Sequence, residues 1–138
     1  MARYILDTNI ISELARRSPD ANVVAFIAGT PRLFVSVIAF HELGFGLHAA
    51  QEAQKFHLMT FLGKMRARFG QAAIPVDLPI AETAGRLRGL EKSGGRIMTL
   101  ADSLMAATAI MKDACLVTRN TKDFETLEMD LRNPFDPS

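Results

Sequence analysis

The sequence predicts an α/β fold in three layers, with a mostly parallel central sheet of four or five strands flanked by helices. Two observations carry that expectation. Short apolar runs, too brief for helices, alternate with longer stretches whose apolar residues recur at helical spacing, and the clearest short runs stop at polar residues. Such a β-then-α rhythm argues for parallel strands joined by crossover helices that cover both faces of the sheet. At 138 residues the chain is expected to form one domain, residues 1–138.

Arg3 to Leu6 reads as a buried strand ending at Asp7-Thr8-Asn9. Ile10, Ile11, Leu14 and Ala15 follow at helical spacing, and Ser18-Pro19-Asp20 marks a break and restart before Val23, Val24, Phe26 and Ile27. Gly29-Thr30-Pro31 signals a turn, Leu33 to Ser36 a second strand, and Val37 to Ala50 a third helix that tolerates Gly44 and Gly46. Gln51 to Phe69 makes a fourth helix closed by Gly70. Ala73 to Val76 predicts a third short strand, and Pro79 to Leu90 a helix ahead of Ser93-Gly94-Gly95. Thr99 to Lys112 has the clearest helical pattern of the chain. Leu116-Val117 ends in Thr118-Arg119-Asn120 as a further strand, and Met129 to Leu131 suggests a last one.

Composition narrows the function. Hydrophobic residues make up 49% and charged residues 22%, which describes a folded chain and not a disordered one. Sixteen Lys and Arg against fifteen Asp and Glu leave a charge of +1, so nucleic-acid binding must rest on local charge. The apolar run Leu33 to Phe40 is far shorter than the roughly 20 residues of a membrane span. Tyr4-Ile5-Leu6 is too brief for a signal-peptide core. Cys115, the one cysteine, excludes an internal disulfide and a cysteine-based zinc cluster, so a reducing, cytoplasmic location is expected.

In parallel sheets ligands gather at the carboxyl ends of the strands, which is where the acids stand out. Asp7 follows the first strand, Asp102 falls in the first turn of the Thr99 helix, and Asp123 follows Thr118-Arg119-Asn120. Glu42 sits among Ile38, Phe40, Leu43 and Phe45, where burying an unpaired carboxylate is costly. Each acid also has a structural reading: Asp7 or Asn9 as a helix cap, Thr99-x-x-Asp102 as a capping box, Glu42 as a solvated helix residue, Asp123 as a turn former.

Other motifs fail on inspection. His41-Glu42-Leu43-Gly44-Phe45 opens like a zinc-protease H-E-x-x-H, but Phe45 stands where the second ligand must be. Gly44-Phe45-Gly46-Leu47-His48-Ala49 spells a dinucleotide fingerprint inside a helical pattern instead of after a strand. His41, His48 and His57 fall on two different helices and are assigned structural or surface roles. The stripe Phe56, Met59, Leu62 and Phe69 is assigned to core or dimer contact.

Taken in order, Tyr4 to Leu14, Glu42, Leu100-Ala101-Asp102-Ser103-Leu104-Met105-Ala106-Ala107-Thr108-Ala109 and Thr118-Arg119-Asn120-Thr121-Lys122-Asp123-Phe124 resemble the PIN-domain ribonucleases, specifically the VapC-type toxins of bacterial toxin-antitoxin pairs. The resemblance covers nearly the whole chain and implies a PIN-like domain. It implies that Asp7, Glu42, Asp102 and Asp123 form the acidic quartet, with Thr118 and Asn120 as polar helpers and Thr8 or Asn9 beside the first acid. It further implies a homodimer and a cognate antitoxin protein. The resulting expectation is a toxin endoribonuclease whose quartet binds one or two Mg2+ or Mn2+ ions and hydrolyses RNA phosphodiesters with a metal-activated water. Asp7 and Asp102 are expected as main ligands, completed by Glu42 and Asp123. Arg119, Lys122, Arg16 and Arg17 lie near the rim in sequence, where they suit either RNA contact or ordinary solvated surface.

Two rival classes stay open at this level. Asp7-Thr8-Asn9-Ile10-Ile11 loosely matches the D-x-D-x-T strand end of haloacid dehalogenase-like phosphohydrolases, although Asn9 replaces the proton-donating acid. The other rival is a noncatalytic RNA-binding or regulatory scaffold in which the acids only cap helices.

Overall fold

The structure, a computed structural model, describes residues 2–137. Four strands run β1 (Tyr4–Leu6), β2 (Leu33–Phe34), β3 (Cys115–Val117) and β4 (Leu131–Arg132), all parallel, in the order β2-β1-β3-β4. Six helices flank them: α1 (Thr8–Leu14), α2 (Ala21–Gly29), α3 (Val37–Ala49), α4 (Glu52–Phe69), α5 (Leu78–Ser93) and α6 (Leu100–Met111). Successive strand residues point to opposite faces, and Ile5 and Leu6, like Leu116 and Val117, are all fully buried. Both faces of the sheet are therefore covered, which gives the three-layer α/β architecture.

The central pair sets the register that matters. Tyr4, Ile5 and Leu6 stand opposite Cys115, Leu116 and Val117, so β1 and β3 end level with one another. Asp7 continues the ladder by donating its N–H to the Val117 carbonyl at 2.9 Å, and Thr118 donates its own to Arg132 at 3.0 Å. Side chains cap most helix starts: Asp20 for α2, Ser36 for α3, Asp77 for α5 with Pro79 just inside, and Thr99, as expected, for α6.

Gly70 closes α4 as expected, with a right-handed φ of −61° that leads into a one-turn 3₁₀ segment, Gly70–Ala72. Two local expectations are corrected. Ala73 to Val76 does not form a strand: Ile74 makes one bridge to Ser36, and Pro75, with no N–H to donate, ends the pairing. The last strand lies at Leu131–Arg132, not Met129 to Leu131, because the Leu116 N–H takes the Asp130 carbonyl as partner. The stripe on α4 also divides: Phe69 is core, whereas Phe56 is 80% exposed and Met59 is exposed too. Among the described residues no helix is long and apolar enough to cross a membrane.

Candidate active site

Asp7 leaves the end of β1 as the N-cap of α1 and is only 6% exposed. Three donors hold it. The Thr8 N–H reaches Oδ1 at 2.8 Å, while the Thr118 hydroxyl and the Asn9 side-chain amide reach Oδ2 at 2.9 and 3.2 Å. Asn9 also donates to Thr118 Oγ1 at 3.1 Å and accepts the Arg119 N–H, so the ends of β1 and β3 are stitched by side chains as well as by the ladder. The Asn120 N–H completes the Thr118 hydroxyl at 3.1 Å.

Glu42 arrives from α3 and is joined to this group by the Thr8 hydroxyl, which donates to Oε1 at 2.6 Å. Asp102 sits in the first turn of α6, where its N–H donates to Thr99 Oγ1 at 3.1 Å. Asp123 lies exposed in a one-turn 3₁₀ segment, Thr121–Asp123, and its carboxylate has no hydrogen bond among the described residues. Asp7, Thr8, Asn9, Glu42, Asp102 and Asn120 line one cavity of about 450 Å³.

The protonation equilibria report how crowded this negative charge is. Burial raises the Asp7 carboxyl above its ordinary value; its Thr118, Thr8 and Asn9 donors oppose the rise, and the Glu42 charge adds to it. Asp102 is pushed up to about 6 by burial first, then by the charges of Asp7, Asp123 and Glu42. A carboxylate in the first turn of a helix is normally favoured by the positive end of the helix dipole. Here burial and the surrounding acids outweigh it, and Asp102 feels the charges of the other three predicted acids. The capping roles of Asp7 and Thr99 are real but leave this accumulation of charge unexplained.

Glu13 is a cavity residue that sequence reasoning missed. It is 5% exposed on α1, accepts Arg16 Nη1 on both oxygens at 3.2 Å, and accepts the Asp20 N–H at 2.9 Å. The signal was available: Asn9 and Glu13 are four residues apart on one helix and so share a face. Arg16 lines the cavity but is committed to Glu13, whereas Arg17 is exposed and outside it. Arg119 lays its guanidinium over the Phe135 ring at 4.4 Å, and Lys122 is exposed beside Asp123. His41, His48 and His57 are exposed on α3 and α4, and His57 contacts the Ala15 carbonyl at 2.6 Å. The Cys115 thiol is pushed up to about 11 by burial and stays protonated near neutrality. Asn9, committed to Asp7 through its amide, cannot replace the acid that a haloacid dehalogenase-like reaction needs.

Residues 4–128 match the family model described as the PIN domain. The chain belongs to the PIN-domain family. Several relatives match it over nearly their full length. A VapC ribonuclease, Y4jK from Sinorhizobium fredii, is 32% identical over 97% of this chain and 99% of its own. The crystal structure of FitAcB from Neisseria gonorrhoeae superposes with a TM-score of 0.86 at 29% identity, covering 96% of this chain and 98% of that one. A toxin-antitoxin complex from Klebsiella pneumoniae gives a TM-score of 0.70 at 29% identity over 95% and 97%. In this PIN domain the side chains as placed bring no three carboxylate or imidazole groups together around a single point among the described residues.

Proposed function

We propose that this PIN domain is the toxin of a toxin-antitoxin pair, an endoribonuclease that hydrolyses RNA phosphodiesters and depends on Mg2+ or Mn2+. The observation that carries the reading is the uncompensated charge at the ends of β1 and β3, where Asp102 is raised to about 6 by burial and by three neighbouring acids. Among the described residues lining the cavity the one basic side chain, Arg16, is already paired with Glu13. A divalent cation relieves such a cluster. Mg2+ binds through one or two carboxylates and keeps several waters, so Asp7 and Asp102 suffice as direct ligands, with Glu42 and Asp123 acting through water. When bound, such an ion polarises the phosphoryl oxygen and lowers the pKa of a water.

The protein's own groups have distinct parts in this reading. Thr118 and Asn9 orient the Asp7 carboxylate and favour its anionic form against the cost of burial, and Thr8 holds Glu42 beside it. Lys122 and Arg119 flank the rim as RNA contacts, and Asn120 is a polar helper on the cavity wall. Incubating the purified protein with RNA, with and without chelator, tests the assignment. Products should carry 5′-phosphate and 3′-hydroxyl ends, and chelation should abolish them. Cyclic 2′,3′-phosphates would move the chemistry to the ribose hydroxyl and the histidines.

The partners belong to the same proposal: a homodimer, and a cognate antitoxin that docks beside α3 and presents an arginine to the acids. A guanidinium forks onto a carboxylate and replaces part of the ion's charge, so antitoxin and metal compete. Antitoxin affinity should therefore fall as Mg2+ is titrated at fixed ionic strength. An affinity that ignores Mg2+ would remove the plug from this scheme.

A further inference from the structure

Asp102 and Asp123 lie on either side of β3, at the start of α6 and in the turn after the strand, and the carboxylate of Asp123 has no hydrogen bond to hold it among the described residues. Away from the acid cavity stands a carboxylate with no role so far. Glu91, on the last turn of α5, is 6% exposed. Its Oε2 accepts Arg96 Nε at 2.7 Å, and its two oxygens accept the Thr126 hydroxyl at 2.9 and 3.0 Å. The Arg96 N–H returns to the Glu91 carbonyl at 2.9 Å, closing the turn at Gly95, whose φ of +81° suits glycine. Arg88 adds a second tie by donating Nε to the Met98 carbonyl at 3.1 Å.

We propose that Glu91 is a positioning residue for the acid cavity, a clamp that fixes the segment entering α6 against the segment that follows Asp123. This rests on the nuclease reading of the site. On one side the clamp holds Arg96, three residues before the Thr99 cap and six before Asp102. On the other it holds Thr126, three residues beyond Asp123, with the fully buried Phe124 between them. The ion pair and hydroxyl together leave no oxygen of Glu91 unpartnered, which a nearly buried carboxylate requires. Nothing else among the described side chains bridges these two segments by hydrogen bonds, so Glu91 adds to the chain path through β3 in setting Asp102 against Asp123.

Thr126→Val tests the clamp at its exposed end, where the fold tolerates the change and Glu91 keeps Arg96. Amide hydrogen exchange of residues 121–127 should accelerate about tenfold while the Asp7 segment stays unchanged. Mn2+ affinity, measured by calorimetry on the full chain, should weaken roughly tenfold. Thr126→Ser should restore both values. In an Asp123→Asn background Thr126→Val should cost no further Mn2+ affinity, because the hydroxyl acts through Asp123. Wild-type Mn2+ binding in Thr126→Val, or an equal loss in both backgrounds, would overturn the clamp and leave the nuclease reading standing. A wild-type protein that neither binds Mn2+ nor cleaves RNA would overturn the nuclease reading and the clamp with it.

Discussion

The two sides of the acid cavity are built differently. Asp7 is held by three donors and coupled through Thr8 to Glu42, all anchored on the paired ends of β1 and β3. Asp102 and Asp123 stand on a helix start and a 3₁₀ turn, with backbone placement and little direct bonding of their carboxylates. On the wired side three donors oppose the cost of burying a carboxylate; the other side accumulates charge that no donor offsets as closely. The two halves of one site thus differ in how firmly their acids are held.

The largest expected effect sharpens that contrast. Asp7→Asn and Asp102→Asn should each reduce metal-dependent RNA cleavage by more than about a hundredfold, as either removes a main ligand. Their effects on stability should have opposite signs. An asparagine at position 7 must turn its amide towards one of the donors now facing Asp7, costing about 2 kcal/mol. At position 102 the substitution removes a strained charge. With its carboxyl at about 6 against an ordinary 3.8, the folded protein holds this proton more tightly than the unfolded chain, so native stability falls as pH rises from 3.8 to about 6. Metal-free Asp102→Asn should therefore melt higher than wild type at pH 7 by about 1 kcal/mol after solvent screening, with the gap closing below pH 4. Thermal melts in chelator across pH provide the measurement, and equal shifts at all pH values would erase the distinction between the halves.

Smaller effects probe each half in turn. Thr118→Val keeps the shape of a fully buried residue but removes one Asp7 donor, and should cost about 2 kcal/mol in denaturant melts with roughly tenfold lower cleavage. Added Mn2+ at pH 7 should raise the wild-type midpoint and do so much less for Asp102→Asn. Smallest of all, Lys122→Ala should raise KM for RNA about threefold and reduce the salt slope of binding by about one, leaving stability unchanged. A Lys122→Ala protein with an unaltered salt slope would remove this side chain from the RNA path.

Much of this arrangement is legible in the sequence because polar residues that terminate short apolar runs mark strand ends. Asp7, Thr118 and Asn120 are readable in that way, and helix caps such as Asp7 and Thr99 follow from local chemistry. What escapes is tertiary. Glu13 and Glu91 look like solvated helix residues until packing buries them against Arg16 and Arg96, partners that any surface helix could carry. The loss of the strand at Ala73 to Val76 and the shift of β4 share a cause: ladder partners, not local propensity, decide where such short strands stop. The split of the α4 stripe, with Phe69 inside and Phe56 outside, is likewise set by tertiary packing and not by helical spacing.

The pairing of β1 with β3 has a consequence for the order of events in the cell. Residues 4–6 are made well before the strand they need, which lies at 115–117, and the Thr118 hydroxyl that holds Asp7 lies 111 residues downstream. Such long-range parallel pairing is slow to form, and chains emerge from the N-terminus onward. A nascent chain therefore carries Asp7 without the support that sets it until β3 and Thr118 have been made. A truncation before Cys115 leaves a fragment with Asp7 and Glu42 but no β3 to assemble them.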